Sequence, residues 1–312
     1  MCMNKQSKIY VAGHRGMVGS AIVRKLNAHG YENLTLKNSS ELDLRNQEAT
    51  AQFFKDENPD YVFIAAAKVG GIHANNTMRA EFLYDNLQIQ NNLIHQSYKH
   101  GVTKLLFLGS SCIYPKHSTQ PMSEDQLLTG TLEPTNEPYA IAKIAGIKMC
   151  EAYWDQYGCN FISAMPTNLY GPNDNYDLSN SHVLPALLRK FMEAKDSNSS
   201  EVVMWGSGSP IREFMHVDDL ADALLYLMKN YDDREFMNVG TGEEVSILDL
   251  TKMIKKIVGY NGEIVHDRSK PDGTPRKLMD SSKIHGLGWK SKIGLQDGIK
   301  RVYQTISKER PW

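Results

Sequence analysis

The chain has 312 residues, with 35 lysines and arginines against 36 aspartates and glutamates, and a net charge of -1. Apolar residues at 41% and charged residues at 23% suit a protein with a large buried core and exclude a mainly disordered chain. The near-zero charge offers no global field for a nucleic-acid backbone, and no window approaches the run of about 18 apolar residues that a membrane span needs.

Residues 9–12 (Ile-Tyr-Val-Ala) predict a first strand running straight into Gly13. Val18, Ile22 and Leu26 then recur at helical spacing as one buried stripe. Residues 34–36 predict a short second strand and 47–57 a helix. Asn58-Pro59-Asp60 breaks that helix before an apolar strand at 61–65. A helix follows at 80–98, then a strand at 104–108 that ends in Gly109-Ser110-Ser111-Cys112. A broken polar stretch leads to a long helix at 139–157 and a strand at 161–165, stopped by Pro166. Apolar strands alternating with helices predict an α/β fold, a Rossmann-type doubly wound parallel sheet.

Beyond Asn168 the rhythm changes. Residues 170–181 are polar, punctuated by Gly, Pro, Asn and Asp, and read as a long loop over a site. Helices are expected at 183–193, 217–228 and 247–258, and strands at 202–205 and 236–239. Lys252, Lys255 and Lys256 read as an ordinary solvated helix face. The expected division is a dinucleotide-binding domain over 1–170, with returning segments near 215–245, and a smaller mixed α/β substrate domain over 171–312. Cys2, Cys112, Cys150 and Cys159 show no metal-ligand spacing, and residues 1–8 lack the apolar stretch of a secretory signal. A reducing, cytoplasmic setting without a metal site is the expectation.

Gly13, Gly16 and Gly19 follow a strand and open a helix, a spacing that permits a tight turn and close approach of a pyrophosphate to the backbone. The second strand ends Leu36-Lys37-Asn38, without the acid that usually binds the ribose 2′-hydroxyl of NAD. Arg15 and Lys37 could instead pair with a 2′-phosphate, so NADP(H) is the expected cofactor; the alternative is that both are merely exposed. Tyr139 and Lys143 stand four apart on the predicted helix and can point to one side. A nearby ammonium would pull the phenol towards a useful working pKa, and Ser110 is placed to hold a substrate oxygen. Together with the glycine loop, these three residues point to carbonyl chemistry with a nicotinamide.

Over roughly residues 8–305 the chain resembles the extended short-chain dehydrogenase/reductases, and within them the GDP-4-keto-6-deoxy-D-mannose 3,5-epimerase/4-reductase branch. The resemblance is carried by 13–19, by Ala-Ala-Ala-Lys-Val-Gly-Gly-Ile at 65–72 and by Ser-Ser-Cys-Ile-Tyr-Pro at 110–115. Glu-Pro-Thr-Asn-Glu-Pro-Tyr at 133–139, Met-Pro-Thr-Asn-Leu-Tyr-Gly-Pro at 165–172 and Lys-Pro-Asp-Gly-Thr-Pro-Arg-Lys at 270–277 add to it. It implies one site that epimerises C3 and C5 of GDP-4-keto-6-deoxy-D-mannose and then reduces C4 with NADPH to give GDP-L-fucose. Ser110 and Tyr139 would hold O4, Tyr139 would protonate it, and Lys143 would support Tyr139 and the nicotinamide ribose.

The resemblance also assigns Cys112 and His182 to proton transfer at C3 and C5. A thiol with an intrinsic pKa of about 8.5 is an accessible base, and a histidine changes charge near neutrality. A small buried hydrophobe is the bland alternative for Cys112. Cofactor contacts are implied at Met17, Val18, Ala66, Pro166, Asn168, Leu169 and His182, besides the glycines, Arg15, Lys37 and Lys143. Substrate contacts are implied at Ser111, Asn168, Lys190, Trp205, Arg212, Asp272 and Lys283, besides Ser110, Cys112 and Tyr139. A core tryptophan and a salt-bridged arginine remain alternatives for Trp205 and Arg212, and His216 reads as structural. The segment Lys37-Asn38-Ser39-Ser40 lacks the arginines common in the family, which implies weaker 2′-phosphate discrimination. The implied assembly is a homodimer through the 80–98 and 139–157 helices. A nucleotide-sugar 4,6-dehydratase or C4-epimerase, or a nonenzymatic dinucleotide sensor, are the competing functions. A dehydratase normally carries Thr-Asp-Glu where this chain has Ser111-Cys112-Ile113.

Overall fold

The computed structural model describes residues 3–270 and 272–312; Cys2 and Pro271, both named above, lie outside the described residues. In chain order β1 (Ile9–Ala12), α1 (Met17–Ala28), β2 (Leu34–Thr35), α2 (Gln47–Glu57) and β3 (Tyr61–Ile64) lead to α3 (Ile72–Thr77) and α4 (Arg79–Lys99). Then come β4 (Lys104–Leu108), α5 (Glu137–Tyr157), β5 (Phe161–Pro166) and β6 (Asn168–Tyr170). The second half adds α6 (Val183–Asp196), β7 (Glu201–Trp205), β8 (Ile211–Arg212), β9 (Phe214–His216), α7 (Val217–Asn230) and β10 (Met237–Val239). It closes with β11 (Val245–Ser246), α8 (Ile247–Val258), β12 (Glu263–Asp267), β13 (Arg276–Lys277), α9 (Ser282–Gly286) and α10 (Leu295–Glu309).

Six parallel strands form the main sheet in the order β10-β5-β4-β3-β1-β2. β1, β3, β4 and β5 are buried throughout because helices cover both faces, which is why they are continuous apolar runs. Ile9 and Val11 meet Ile22, Leu26 and Leu224 from α1 and α7 on one face. Tyr10 and Ala12 point the other way, into the layer with Phe54, Leu93 and Ile147 from α2, α4 and α5. The chain leaves β1 for β2 and recrosses to β3, so strand order reverses beside β1. Ligands of such sheets bind outside the carboxyl ends of the strands at that reversal.

A third core gathers Leu188 and Phe191 of α6, Ile254 of α8 and Val302 of α10 around β7. β12 pairs with β7, and β8 stands between β11 and β13. α3 and the strands β6, β8, β9, β11 and β13, of two or three residues each, carry too few residues for a period and have no counterpart among the expected elements, whereas β2 and β10 fall on the strands expected at 34–36 and 236–239. Pro166 is the last residue of β5 and pairs with Val239 instead of stopping the strand before it. Asn46 accepts from the Ala49 N–H at 3.0 Å and starts α2, and Ser246 accepts from the Asp249 N–H at 3.0 Å and starts α8. His216 Nδ1 accepts from the Asp218 N–H at 3.2 Å, so this histidine caps α7 as a structural residue.

The loop between β6 and α6 crosses the carboxyl ends of the strands. Its Asn173 amide donates to Ser20 of α1 at 3.0 Å, and its Asn180 carbonyl accepts from the Gly71 N–H at 3.0 Å. Among the described residues, no helix is long and apolar enough to cross a membrane, and no group of His, Cys, Asp or Glu side chains could hold a metal ion. Cys112, Cys150 and Cys159 are free thiols.

Candidate active site

The glycine turn is built for backbone approach. Gly13 has φ of +83°, and a Cβ there would lie 2.7 Å from the Ala66 backbone nitrogen. At Gly19 a Cβ would come within 2.1 Å of the Gly13 carbonyl oxygen, so any side chain would fill the turn. Gly16 is the N-cap of α1, no side chain caps that end, and no acid occupies its first turn. Its N–H groups and the positive helix end therefore face the crevice, a cradle that suits a dinucleotide diphosphate. Arg15 is exposed and Lys37 half-buried, and neither is ion-paired among the described residues. Glu41, the nearest acid in sequence after β2, accepts from the Asn38 N–H at 2.8 Å. That end of the crevice thus offers cations where a 2′-phosphate would lie.

Ser110 leaves β4 in extended conformation, and its hydroxyl accepts from the Cys112 N–H at 3.4 Å across a short turn. Ser111 and Cys112 are buried in that turn. Tyr139 and Lys143 project from the start of α5, and the Tyr139 ring meets Phe82 edge-on at 6.1 Å. Burial pushes the Tyr139 phenol far above its ordinary range, charge on Cys112 adds to this, and Ser110 works against it. The expected lowering by Lys143 is not seen, because the ammonium is engaged elsewhere: Nζ donates to the Leu108 carbonyl at 2.8 Å and stands 5.8 Å from the Tyr139 ring centroid. Tyr139 is therefore held protonated, with a proton to give.

Burial lowers Lys143 to about 8, with Cys112 pulling the other way. The free enzyme loses this charge as pH rises through about 8, so kcat/KM should fall on that alkaline limb. Lys143→Arg should move the limb out of the accessible range, since a guanidinium stays charged. A pH–rate series on both proteins checks this; a limb that stays put in the variant contradicts it.

Burial raises the Cys112 thiol, while Lys277, Ser110 and Lys143 lower it. His182 occupies the N-cap position of α6 without a side-chain capping bond and is exposed, yet desolvation by the atoms around its ring lowers its pKa; Lys277 adds to that effect. At neutral pH the pair thus presents a protonated thiol and an uncharged imidazole. Ser110, Cys112, Tyr139, Lys143 and, through Lys277, His182 form one electrostatically linked cluster at the carboxyl end of the sheet.

Lys277, not singled out in the sequence, joins this cluster to the substrate end. It lies opposite Arg212 in the β8–β13 ladder, and desolvation lowers both cations. Neither has a carboxylate partner among the described residues; the Arg212 guanidinium donates only to the Ile211 carbonyl, at 2.8 Å. Like charges placed opposite each other are unfavourable until an anion joins them. The salt-bridged reading of Arg212 is thereby dismissed, and so is the core reading of Trp205, which is 55% exposed. Lys190 and Lys270 approach the Trp205 ring at 5.1 and 5.3 Å, and Lys190 also donates to the Val203 carbonyl at 3.1 Å.

Two expected contacts stand apart. Lys283 pairs with Glu235 at 2.8 Å beside the entry to β10, the end of the sheet away from the glycine turn. Asp272 accepts from the Ser207 N–H at 2.6 Å and its hydroxyl at 2.8 Å, pinning the loop after β7. Asn168 donates to the Glu213 carbonyl at 2.8 Å; Ala66 packs against Gly13 of the turn, while Pro166 ends β5 and Leu169 lies in β6. The signal for Lys277 was present as the last residue of the 270–277 motif, but its two-residue strand leaves no period to read.

A model of the NAD dependent epimerase/dehydratase family matches residues 9–240, from β1 through the glycine turn and Tyr139 to the end of β10. The chain belongs to this family. Within the family it is 61% identical over 305 residues to GDP-L-fucose synthase 1 of Arabidopsis thaliana, covering 98% of this chain and 94% of that one. It is 55% identical over 311 residues to the GDP-L-fucose synthase of Escherichia coli (strain K12), 97% of each chain. Among solved structures, a GDP-D-glycero-L-gluco-heptose synthase from Campylobacter jejuni, crystallised in the presence of NADPH, superposes with a TM-score of 0.93. That structure is 43% identical and the match covers 98% of this chain and 100% of that one. As an epimerase/dehydratase family member, the chain carries the fold and the resemblance expected from its motifs.

Proposed function

We propose that this enzyme converts GDP-4-keto-6-deoxy-D-mannose to GDP-L-fucose by epimerisation at C3 and C5 followed by reduction at C4. The observation that carries this reading is the linkage of Cys112 and His182 to the Ser110–Tyr139–Lys143 group beside an unpaired Arg212–Lys277 cation pair. The likeness to plant and bacterial GDP-L-fucose synthases supports it.

The C4 ketone of the substrate makes the protons at C3 and C5 acidic, and removal of either leaves charge on O4. Ser110 and Tyr139 donate to that oxygen. The uncharged His182 can accept a proton and the Cys112 thiol can deliver one, so a carbon can lose its proton on one face and regain it on the other. NADPH, when bound, supplies the hydride for C4, and the cradle of Gly13, Gly16 and Gly19 with Arg15 and Lys37 suits its diphosphate and 2′-phosphate. Tyr139 gives O4 its proton during reduction, and Lys143 stands ready for the nicotinamide ribose. Arg212 and Lys277 take the GDP diphosphate, and the exposed face of Trp205 with Lys190 takes the guanosine end. Residues 1–170 with the returning β9–β10 segment would hold the cofactor, and the rest the GDP-sugar. The outward Tyr84, Ile141 and Tyr157 of α4 and α5, at 60, 44 and 46% exposure, suit a homodimer interface between copies of this helix pair.

The test is stoichiometry. One NADPH should be consumed per GDP-L-fucose formed, with NADH a poorer donor. Interconversion of C4 epimers without net NADPH consumption would instead identify a C4-epimerase.

A further inference from the structure

Glu213 follows Arg212 directly but faces the protein interior, with none of its surface exposed. A buried carboxylate is costly unless its oxygens are satisfied, and here the donors are neutral groups on two separate segments. Oε1 accepts from the Thr241 N–H at 2.6 Å and the Gly242 N–H at 2.9 Å, in the turn between β10 and β11. Oε2 accepts from the Met279 N–H at 3.2 Å, two residues beyond Lys277. The Glu213 carbonyl meanwhile accepts from the Asn168 amide at 2.8 Å. Among the described residues no lysine or arginine pairs with this carboxylate, so it leaves the charges of Arg212 and Lys277 uncompensated for an external anion.

β8 and β13 are only two residues long, and their register sets Arg212 opposite Lys277. A ladder this short has few hydrogen bonds with which to resist the repulsion of two facing cations. We propose that Glu213 is a positioning residue for the GDP-linked substrate, its carboxylate fastening the Arg212 strand to the Lys277 segment so that the two cations form a preset clamp for a diphosphate. This deepens the function proposed above and rests on it for the identity of the substrate, while the clamp itself is a statement about GDP binding. Preorganisation of this kind acts on affinity by removing the cost of assembling the site on binding.

Glu213→Gln keeps the shape but turns one acceptor into a donor, so one of the two segments is released. Glu213→Asp keeps the charge but is one methylene too short to reach both. Calorimetry with GDP as the probe should show Kd raised about tenfold in Glu213→Gln, the scale of one lost hydrogen bond to a charged group. Glu213→Asp should show a smaller rise, and Kd for NADPH should stay within about twofold of wild type in both, because the glycine turn is not attached to Glu213. In a Lys277→Met background the Glu213→Gln effect on GDP should shrink, since the clamp is already broken. Should Glu213→Gln fail to fold, Glu213→Asp decides. Unchanged GDP affinity overturns the proposal, as does a parallel loss of GDP and NADPH affinity, which would mark a general scaffold role. A clamp that behaves as described in an enzyme that does not turn over GDP-4-keto-6-deoxy-D-mannose would sink the assigned reaction and leave the clamp standing.

Discussion

Tyr139→Phe is expected to slow reduction at C4 by about 10²- to 10⁴-fold, the span associated with a positioned general acid. The phenol is the group held protonated by burial beside Ser110, and Lys143 is tied to the Leu108 carbonyl instead of drawing the phenol towards ionisation. Phenylalanine retains the ring that packs edge-on against Phe82, so the fold and the pocket wall should survive. What disappears is the proton for O4 and one of the two donors to that oxygen. Single-turnover NADPH oxidation with an already epimerised 4-ketone isolates this step. GDP and NADPH affinities should change little, and a fully retained rate would remove Tyr139 as the donor.

Cys112→Ser should have the complementary effect, slowing exchange of the C3 and C5 protons with solvent by about 10²- to 10⁴-fold while leaving reduction of an epimerised ketone within a few-fold of wild type. Serine preserves a small polar group in the turn after β4 but lacks an ionisable proton near neutrality. Burial raises the thiol against the smaller lowering by Lys277, Ser110 and Lys143, so it stands protonated at neutral pH as a group that can deliver a proton. Deuterium incorporation into the substrate, followed by mass and position of label, measures the exchange without any reduction. Wild-type exchange at both carbons in this variant would take Cys112 out of the mechanism.

The features legible in the sequence are those whose physics is local. The glycine turn follows an unbroken apolar strand, and Tyr139 and Lys143 are separated by one helical turn, so their grouping on one face needs no tertiary information. Their electrostatics does need it: four-residue spacing suggests an ammonium acting on a phenol, but the nearer Leu108 carbonyl takes the ammonium. Trp205 and Arg212 could each have been core or ion-paired, and only exposure and the absence of a carboxylate partner among the described residues separate those cases. Lys283 and Lys277 differ by six positions on the chain and by opposite surroundings in space. A two-residue strand opposite Arg212 has no periodic pattern, so nothing local distinguishes Lys277 from a lysine bound to Glu235. The resemblance implies Asp272 as a substrate contact, but the Ser207 backbone and hydroxyl engage both its oxygens.

In the proposed reaction one pocket both enolises a 4-keto sugar and delivers a proton to the same oxygen during reduction. Incubation of the wild-type enzyme with GDP-4-keto-6-deoxy-D-mannose and NADPH in deuterated water tests it most directly. GDP-L-fucose should form with solvent deuterium at both C3 and C5 and with the C4 hydrogen drawn from NADPH. A reduced sugar that retains its original, unlabelled C3 and C5 centres would contradict it.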